Sequence, residues 1–207
     1  MNPTKLDHVA FWVADRDSIA DAVTAELGMH VIERTDAFTL VGADARRGKL
    51  TLFDAEGPRE PGALKHVGWR VPDVDGGREL ELADGVRIVL VEGEHDLDHV
   101  ALFSHDPEAT AAEYQSFGFE PAGPRRVKVG NAFIEFHPGD PGLPEKPLLN
   151  HIAVLVDSAD EHIAAANDLG IEIDDVKDAA NTYAVFLRGP EGVRIEYVEH
   201  KPTFSLT

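Results

Sequence analysis

The sequence predicts an α+β protein built from four tandem β-α-β-β-β modules, the second of them shortened. Three observations predict it. One phrase occurs four times: Leu6–Asp15 reads LDHVAFWVAD, Leu64–Asp73 reads LKHVGWRVPD, Leu97–Asp106 reads LDHVALFSHD and Leu148–Asp157 reads LLNHIAVLVD. Each holds a histidine just ahead of an apolar strand, and self-similarity of this size marks a copied supersecondary unit. Three of the four copies are followed by a capped amphipathic segment that stops at a glycine. Beyond it come short apolar runs bounded by turn residues, which read as strands.

In the first copy, from about Leu6 to Glu56, His8–Ala14 is the leading strand. Ser18–Leu27 is predicted as a helix, with Ser18 as N-cap, Ile19, Ala22, Val23 and Leu27 on one face and Gly28 as its stop. Met29–Arg34, Phe38–Val41 and Lys49–Phe53 follow as strands. In the second copy, from about Ala63 to Glu94, the turn-rich Pro72–Gly77 stands where the helix belongs, and Arg78–Leu82 with Val86–Val91 reads as a hairpin around Asp84-Gly85. This copy has lost its helix and one strand. In the third, from about Asp96 to Gly139, Asp106-Pro107-Glu108 opens a helix ending at Phe117-Gly118, and Arg125–Val129 and Ala132–His137 are strands. Gly139–Pro147 reads as a linker or lid. In the fourth, from about Leu148 to His200, Ser158 and Glu161 fit a capping box. Its helix ends at Leu169-Gly170, and strands are expected near Ile171–Ile173, Tyr183–Arg188 and Val193–Val198. Lys201–Thr207 reads as a loose tail. The chain divides on this reading into an N-terminal pair of modules, 1–94, and a C-terminal pair, 95–207.

Composition narrows the partners. The 207 residues are 43% apolar, enough for a substantial core. The net charge of −19 argues against nucleic acid and anionic membranes as partners. No run is long and apolar enough to span a bilayer, and Met1–Asp7 carries no signal pattern, which predicts a cytoplasmic protein. The absence of cysteine removes thiolate metal sites and cysteine nucleophiles. Ten histidines remain.

The strand period places the chemistry. Along the fourth leading strand Ile152, Val154 and Val156 face one way, toward the helix, and His151, Ala153 and Leu155 face a cleft. The last strands of the third and fourth copies each carry a glutamate between Ile and an aromatic, Glu135 and Glu196. A carboxylate set in an apolar strand needs compensation, and a divalent cation shared with the strand histidines supplies it. A lone histidine on such a strand is more often a core residue; two His–Glu pairs in the same slots of two copies are not. The matching slots of the first two copies are Thr51 and Val89, so His8 and His66 are expected to form a degenerate site. The candidate ligands are His99, Glu135, His151 and Glu196, a set suited to Fe(II), Mn(II), Ni(II), Co(II) or Zn(II). His30, His95, His105, His162 and His200 read as bystanders.

This pattern resembles the vicinal oxygen chelate superfamily, which includes glyoxalase I, extradiol dioxygenases and bleomycin resistance proteins. The resemblance covers essentially the whole chain in four-module form. It implies paired curled mixed sheets with helices outside, one divalent metal, and a small substrate presenting two vicinal oxygens. Type I extradiol dioxygenases, to which the arrangement is most similar, imply Fe(II) on His99, His151 and Glu196 and ring cleavage of a catechol-like substrate. Two of their positions differ here: Phe186 stands for a tyrosine and Lys177 for a histidine, which leaves His137 and Tyr183 as candidate catalytic acid–base groups. Glyoxalase-type isomerases and lyases imply instead the four-ligand set with Glu135. Antibiotic-binding relatives imply a pocket without turnover. Phe133, Phe186 and Tyr197 are candidate substrate-contacting residues. The modules pair either within one chain or across a homodimer.

Overall fold

The computed structural model describes residues 1–74 and 77–207; part of the expected Pro72–Gly77 turn segment lies outside the described residues. The first module comprises β1 (Lys5–Val13), α1 (Arg16–Leu27), β2 (His30–Arg34), β3 (Phe38–Asp44) and β4 (Arg47–Asp54). The second keeps β5 (Leu64–Val71), β6 (Glu79–Glu81) and β7 (Arg87–Glu92), with a single 3-10 turn at Ala83–Gly85 and no α-helix among the described residues. The third contains β8 (Asp96–Ser104), α2 (Pro107–Tyr114), β9 (Glu120–Pro121), β10 (Arg126–Val129) and β11 (Ala132–Pro138). The fourth contains β12 (Leu149–Leu155), α3 (Ala159–Leu169), β13 (Ile173–Asp178), β14 (Thr182–Arg188) and β15 (Arg194–His200).

The helices start on side chains that satisfy their free N–H groups. Asp106 accepts from Ala109 N at 3.1 Å and Ser158 from Glu161 N at 3.3 Å. In α1 the cap is Asp15, not Ser18: the Asp15 carboxylate accepts from Ser18 N at 3.0 Å, so the helix begins two residues earlier than the apolar period predicts. Gly28 and Gly170 close α1 and α3 with φ of 66° and 67°, where a side chain would be strained. β13 starts at Ile173 rather than Ile171 and runs on through acidic residues. It is an edge strand, where pairing to β14 outweighs the weak apolar pattern.

In every module the last strand lies parallel beside the first: β4 on β1, β7 on β5, β11 on β8 and β15 on β12. Modules then join antiparallel through their leading strands. β1 pairs with β12, and β5 with β8. An eight-stranded mixed sheet, β13-β14-β15-β12-β1-β4-β3-β2, therefore joins modules one and four; a seven-stranded one, β6-β7-β5-β8-β11-β10-β9, joins modules two and three. Each sheet thus takes strands from both sides of the expected boundary between residues 94 and 95. Each places two of the four leading strands side by side at its centre.

One contiguous core takes residues from both sheets and from the helices, with Phe11, Ile19, Leu50, Trp69, Leu97, Ile152 and Tyr197 buried in it. Burying each such side chain contributes roughly 1.5–3 kcal/mol. Ile152, Val154 and Val156 belong to this core, as their alternation predicts, whereas Ala153, Ala184, Phe186 and Val198 form a separate small cluster on the opposite face.

Candidate metal centre

The β1–β12 pairing sets two histidines against each other. His8 lies opposite Ala153 and His151 opposite Ala10, so both rings project from the same face of neighbouring strands. Glu196 on β15 stands beside Ala153 and projects to that face too. The three side chains converge. His8 Nε2 is 3.0 Å from His151 Nε2 and 3.1 Å from Glu196 Oε2, and His151 Nε2 is 2.9 Å from the same oxygen.

The ring nitrogens that point away from this triangle are each held by a hydrogen bond. His8 Nδ1 donates to Asp7 Oδ2 at 2.8 Å, and His151 Nδ1 to Asn150 Oδ1 at 2.8 Å. Neutral imidazoles held this way turn both Nε2 lone pairs toward the carboxylate. Three acceptors then face one another with three short edges, and one cation satisfies all three. Metal–ligand bonds of about 2.0–2.2 Å place ligands at right angles roughly 2.8–3.1 Å apart and tetrahedral ones roughly 3.3–3.6 Å apart. The observed edges match one face of an octahedron, the two-His, one-carboxylate arrangement.

Electrostatics agree. Burial opposes charge on His8, yet the hydrogen bonds and charges of Asp7 and Glu196 raise it to about 9. A proton takes the place that a metal would claim. Burial raises the Glu196 carboxyl, but the attraction and hydrogen bonding of His151 and His8 outweigh it and hold the group well below the usual carboxylate range. Burial lowers His151. Asp7 is itself buried, with Lys49 Nζ at 2.8 Å from its Oδ2 and His200 Nε2 at 3.2 Å from its Oδ1. Burial raises the Asp7 carboxyl, but the Lys49 charge together with the hydrogen bonds of His200 and His8 outweighs it and holds the group well below its ordinary value. A carboxylate behind a ligand histidine fixes its orientation and raises its basicity.

The triad opens into a cavity of about 580 Å³. Trp12, Phe38, Phe53 and Phe186 form aromatic walls, Lys177 and Arg194 stand on one side, and Phe204 and Leu206 of the C-terminal tail reach the rim. Phe186 meets His151 edge to face, with ring centroids 5.2 Å apart. Phe204 stacks on His200 at 4.4 Å, so the expected loose tail is packed against the site.

The expected ligand set is divided. His151 and Glu196 meet as expected, but His99 and Glu135 lie in the other sheet, and the partner of His151 is His8. Spacing alone placed His8 in a degenerate half because its own module supplies Thr51 where a carboxylate was sought; the carboxylate comes from module four across the β1–β12 seam. Tyr183 does not face the cavity, and its hydroxyl donates to Asp160 on α3 at 3.0 Å. Tyr197 is fully buried on the helix side of β15, donating to Phe117 O at 2.6 Å and stacking on His162. His162 is likewise buried. Phe133 lies under Arg126 in the other sheet, 4.3 Å from ring centroid to guanidinium. His137 also lies there, with Lys65 Nζ 3.1 Å from its Nδ1. Burial and the Lys65 charge lower its basicity. Asp7, Lys49, His200, Trp12, Phe38 and Phe53 were missed. The one available signal was the Asp-His pair of the first repeat, which the third repeats at Asp98-His99.

A sequence profile of the Glyoxalase/Bleomycin resistance protein/Dioxygenase superfamily matches residues 5–88. Solved structures extend the likeness over nearly the whole chain. Glyoxalase I from Zea mays is 15% identical, with a TM-score of 0.75 over 94% of this chain and 92% of that one. A candidate dioxygenase from Bacillus subtilis subsp. subtilis str. 168 is 15% identical, with a TM-score of 0.74 over 98% and 87%. The cppA protein of Streptococcus pneumoniae TIGR4 is 14% identical, with a TM-score of 0.63 over 96% and 99%. No curated protein matches the sequence. Residues 5–88 are thus similar to the Glyoxalase/Bleomycin resistance protein/Dioxygenase superfamily, and the whole four-module chain shares its fold with these solved structures.

Proposed function

We propose that the protein is an extradiol-type ring-cleaving dioxygenase, acting on a small catechol-like substrate with Fe(II) held by His8, His151 and Glu196. The observation that carries this reading is the single carboxylate of the triad. Thr51 occupies the slot beside Ala10 where a second would stand. Three protein ligands on one octahedral face leave room for two substrate oxygens and dioxygen. Bound iron(II) would chelate the two neighbouring oxygens and supply the O2 chemistry.

The chain's own residues do the rest. Asp7 and Asn150 keep both imidazoles in the ligating tautomer. Trp12, Phe38, Phe53 and Phe186 offer flat apolar walls that hold an aromatic ring edge-on to the triad and exclude water from it. Arg194, stacked 4.0 Å over Phe186, and Lys177 put positive charge beside the site of a deprotonating diol. With Tyr183 and His137 away from this cavity, Glu33 and Lys177 are its remaining ionisable groups near the mouth, and these are the candidates to relay the hydroxyl protons. A glyoxalase-type isomerase with four ligands finds less support, because Glu135, its fourth ligand and base, belongs to the other sheet.

The test is oxygen consumption by protein reconstituted anaerobically with Fe(II), on adding catechols. Uptake of one O2 per ring opened, lost in Glu196→Ala, is expected. Hemithioacetal isomerisation without oxygen uptake, under Ni(II), Co(II) or Zn(II), would replace the reading with isomerase chemistry; ligand binding without turnover under every metal would leave a binding protein.

A further inference from the structure

We infer that the second sheet carries a second divalent-cation site, built from His66, His99 and Glu135 and bound more weakly than the first. The pairing registers of the two sheets superimpose. His8 lies opposite Ala153 and Ala153 beside Glu196; His66 lies opposite Ala101 and Ala101 beside Glu135. The imidazoles repeat the arrangement closely. His66 and His99 have Nε2 atoms 3.0 Å apart and rings 5.2 Å apart at 78°, against 3.0 Å, 5.2 Å and 76° for His8 and His151. His99 Nδ1 donates to Asp98 Oδ2 at 2.7 Å, as His8 does to Asp7, so its Nε2 lone pair is turned toward His66. Asp98 is held in turn by Arg70 at 2.7 Å, as Asp7 is by Lys49.

The carboxylate is where the two sites part. Glu196 has Phe186 as its neighbour on the next strand, so only the histidines are available to it. Glu135 has Arg126 there. The Arg126 guanidinium lies 3.5 Å from Glu135 and draws it outward, with His137 Nε2 at 3.8 Å. That His137 nitrogen is buried and lacks a hydrogen-bond partner, an unmet polar atom at the edge of the cluster. Arg126, Glu135 and His137 also line a cavity of about 400 Å³, so the carboxylate is not locked in place by packing on that side. Breaking the Arg126 pair is the cost that separates the two affinities. Two imidazoles and a carboxylate select Zn(II), Co(II), Ni(II) or Fe(II) over Ca(II) or Mg(II).

The experiment is titration of metal-stripped full-length protein with Co(II), followed by its absorption spectrum and by equilibrium dialysis. Two Co(II) per chain are expected, in a tight and a weaker step. His151→Ala removes the tight step alone, and His66→Ala or His99→Ala the weaker one alone. Arg126→Gln tightens the weaker step at least about tenfold without moving the other, and Glu135→Gln weakens it by a similar factor. The two surface variants keep the test decisive should a histidine variant fail to fold. Saturation at one Co(II) in both the wild type and Arg126→Gln would overturn the inference, as would a second step that survives His66→Ala and His99→Ala. Because the His151 arm reports the first site separately, loss of one site does not count against the other.

Discussion

At the scale of residues, the centre is held by charge balance around Asp7 and His8. Asp7 serves His8, Lys49 and His200 together in a buried setting. Asp7→Asn keeps an acceptor for His8 Nδ1 but strands the Lys49 charge. We expect metal affinity to fall about 10–100-fold and the fold to lose about 3–5 kcal/mol, read by dialysis and by urea unfolding. The raised value of His8, about 9, has a sign that can be worked through. At pH 7 the metal-free protein holds that proton, while His151, lowered, holds none. Metal binding needs both lone pairs, so it expels about one proton at pH 7, and affinity falls about tenfold per unit as pH drops below about 9. Calorimetry in two buffers of different ionisation heat counts that proton; none released would mean that His8 is neutral in the resting protein. The metal-free fold runs the other way. His8 contributes its full stability below its unfolded value of about 6.5, and that contribution is lost as pH rises toward about 9.

At the scale of elements, each strand shows two faces, and that decides which expectations hold. On β15, Glu196 and Tyr197 are adjacent and point apart. Tyr197→Phe is expected to cost about 1–2 kcal/mol, from the lost bond to Phe117 O, and to leave metal content unchanged; reduced metal content would return Tyr197 to the site. On β5, Gly68 lies under His99, and a Cβ there would stand 2.2 Å from its Nδ1. Gly68→Ala therefore displaces His99 from His66 while leaving His8 and His151 in place. The alternation of Ile152, Val154 and Val156 against His151 was legible because period 2 is a local property of the backbone. So were the caps and glycine stops, within two or three residues. Tyr183 misled because its strand could be found by pattern while the face of a half-exposed strand could not; its hydroxyl went to Asp160 on the helix side.

At the scale of the whole molecule, what escaped the sequence is the order of assembly. The repeats announce four modules with like leading strands, but any two such strands can pair, and nothing local chooses among the pairings. Division into halves 1–94 and 95–207, and pairing of the two outer modules with each other and the two inner ones with each other, predict different centres from the same residues. The first places His99 with His151 and Glu196 in a self-sufficient C-terminal half. The second takes His8 from the first module, leaving neither half complete. Both central seams, β1 with β12 and β5 with β8, cross the connection between β7 and β8. Cutting there should be felt by both sheets at once. Segments 1–94 and 95–207 produced separately would each expose two apolar leading strands as open edges, a setting that favours aggregation. Neither should bind Fe(II) or Co(II) tightly. Produced together, they should form a 1:1 complex that recovers the tight site, because His8 returns to His151 and Glu196 when β1 finds β12. Metal analysis and light scattering on the three preparations decide the matter. A soluble 95–207 segment holding one tightly bound metal would show that His99, and not His8, completes the centre.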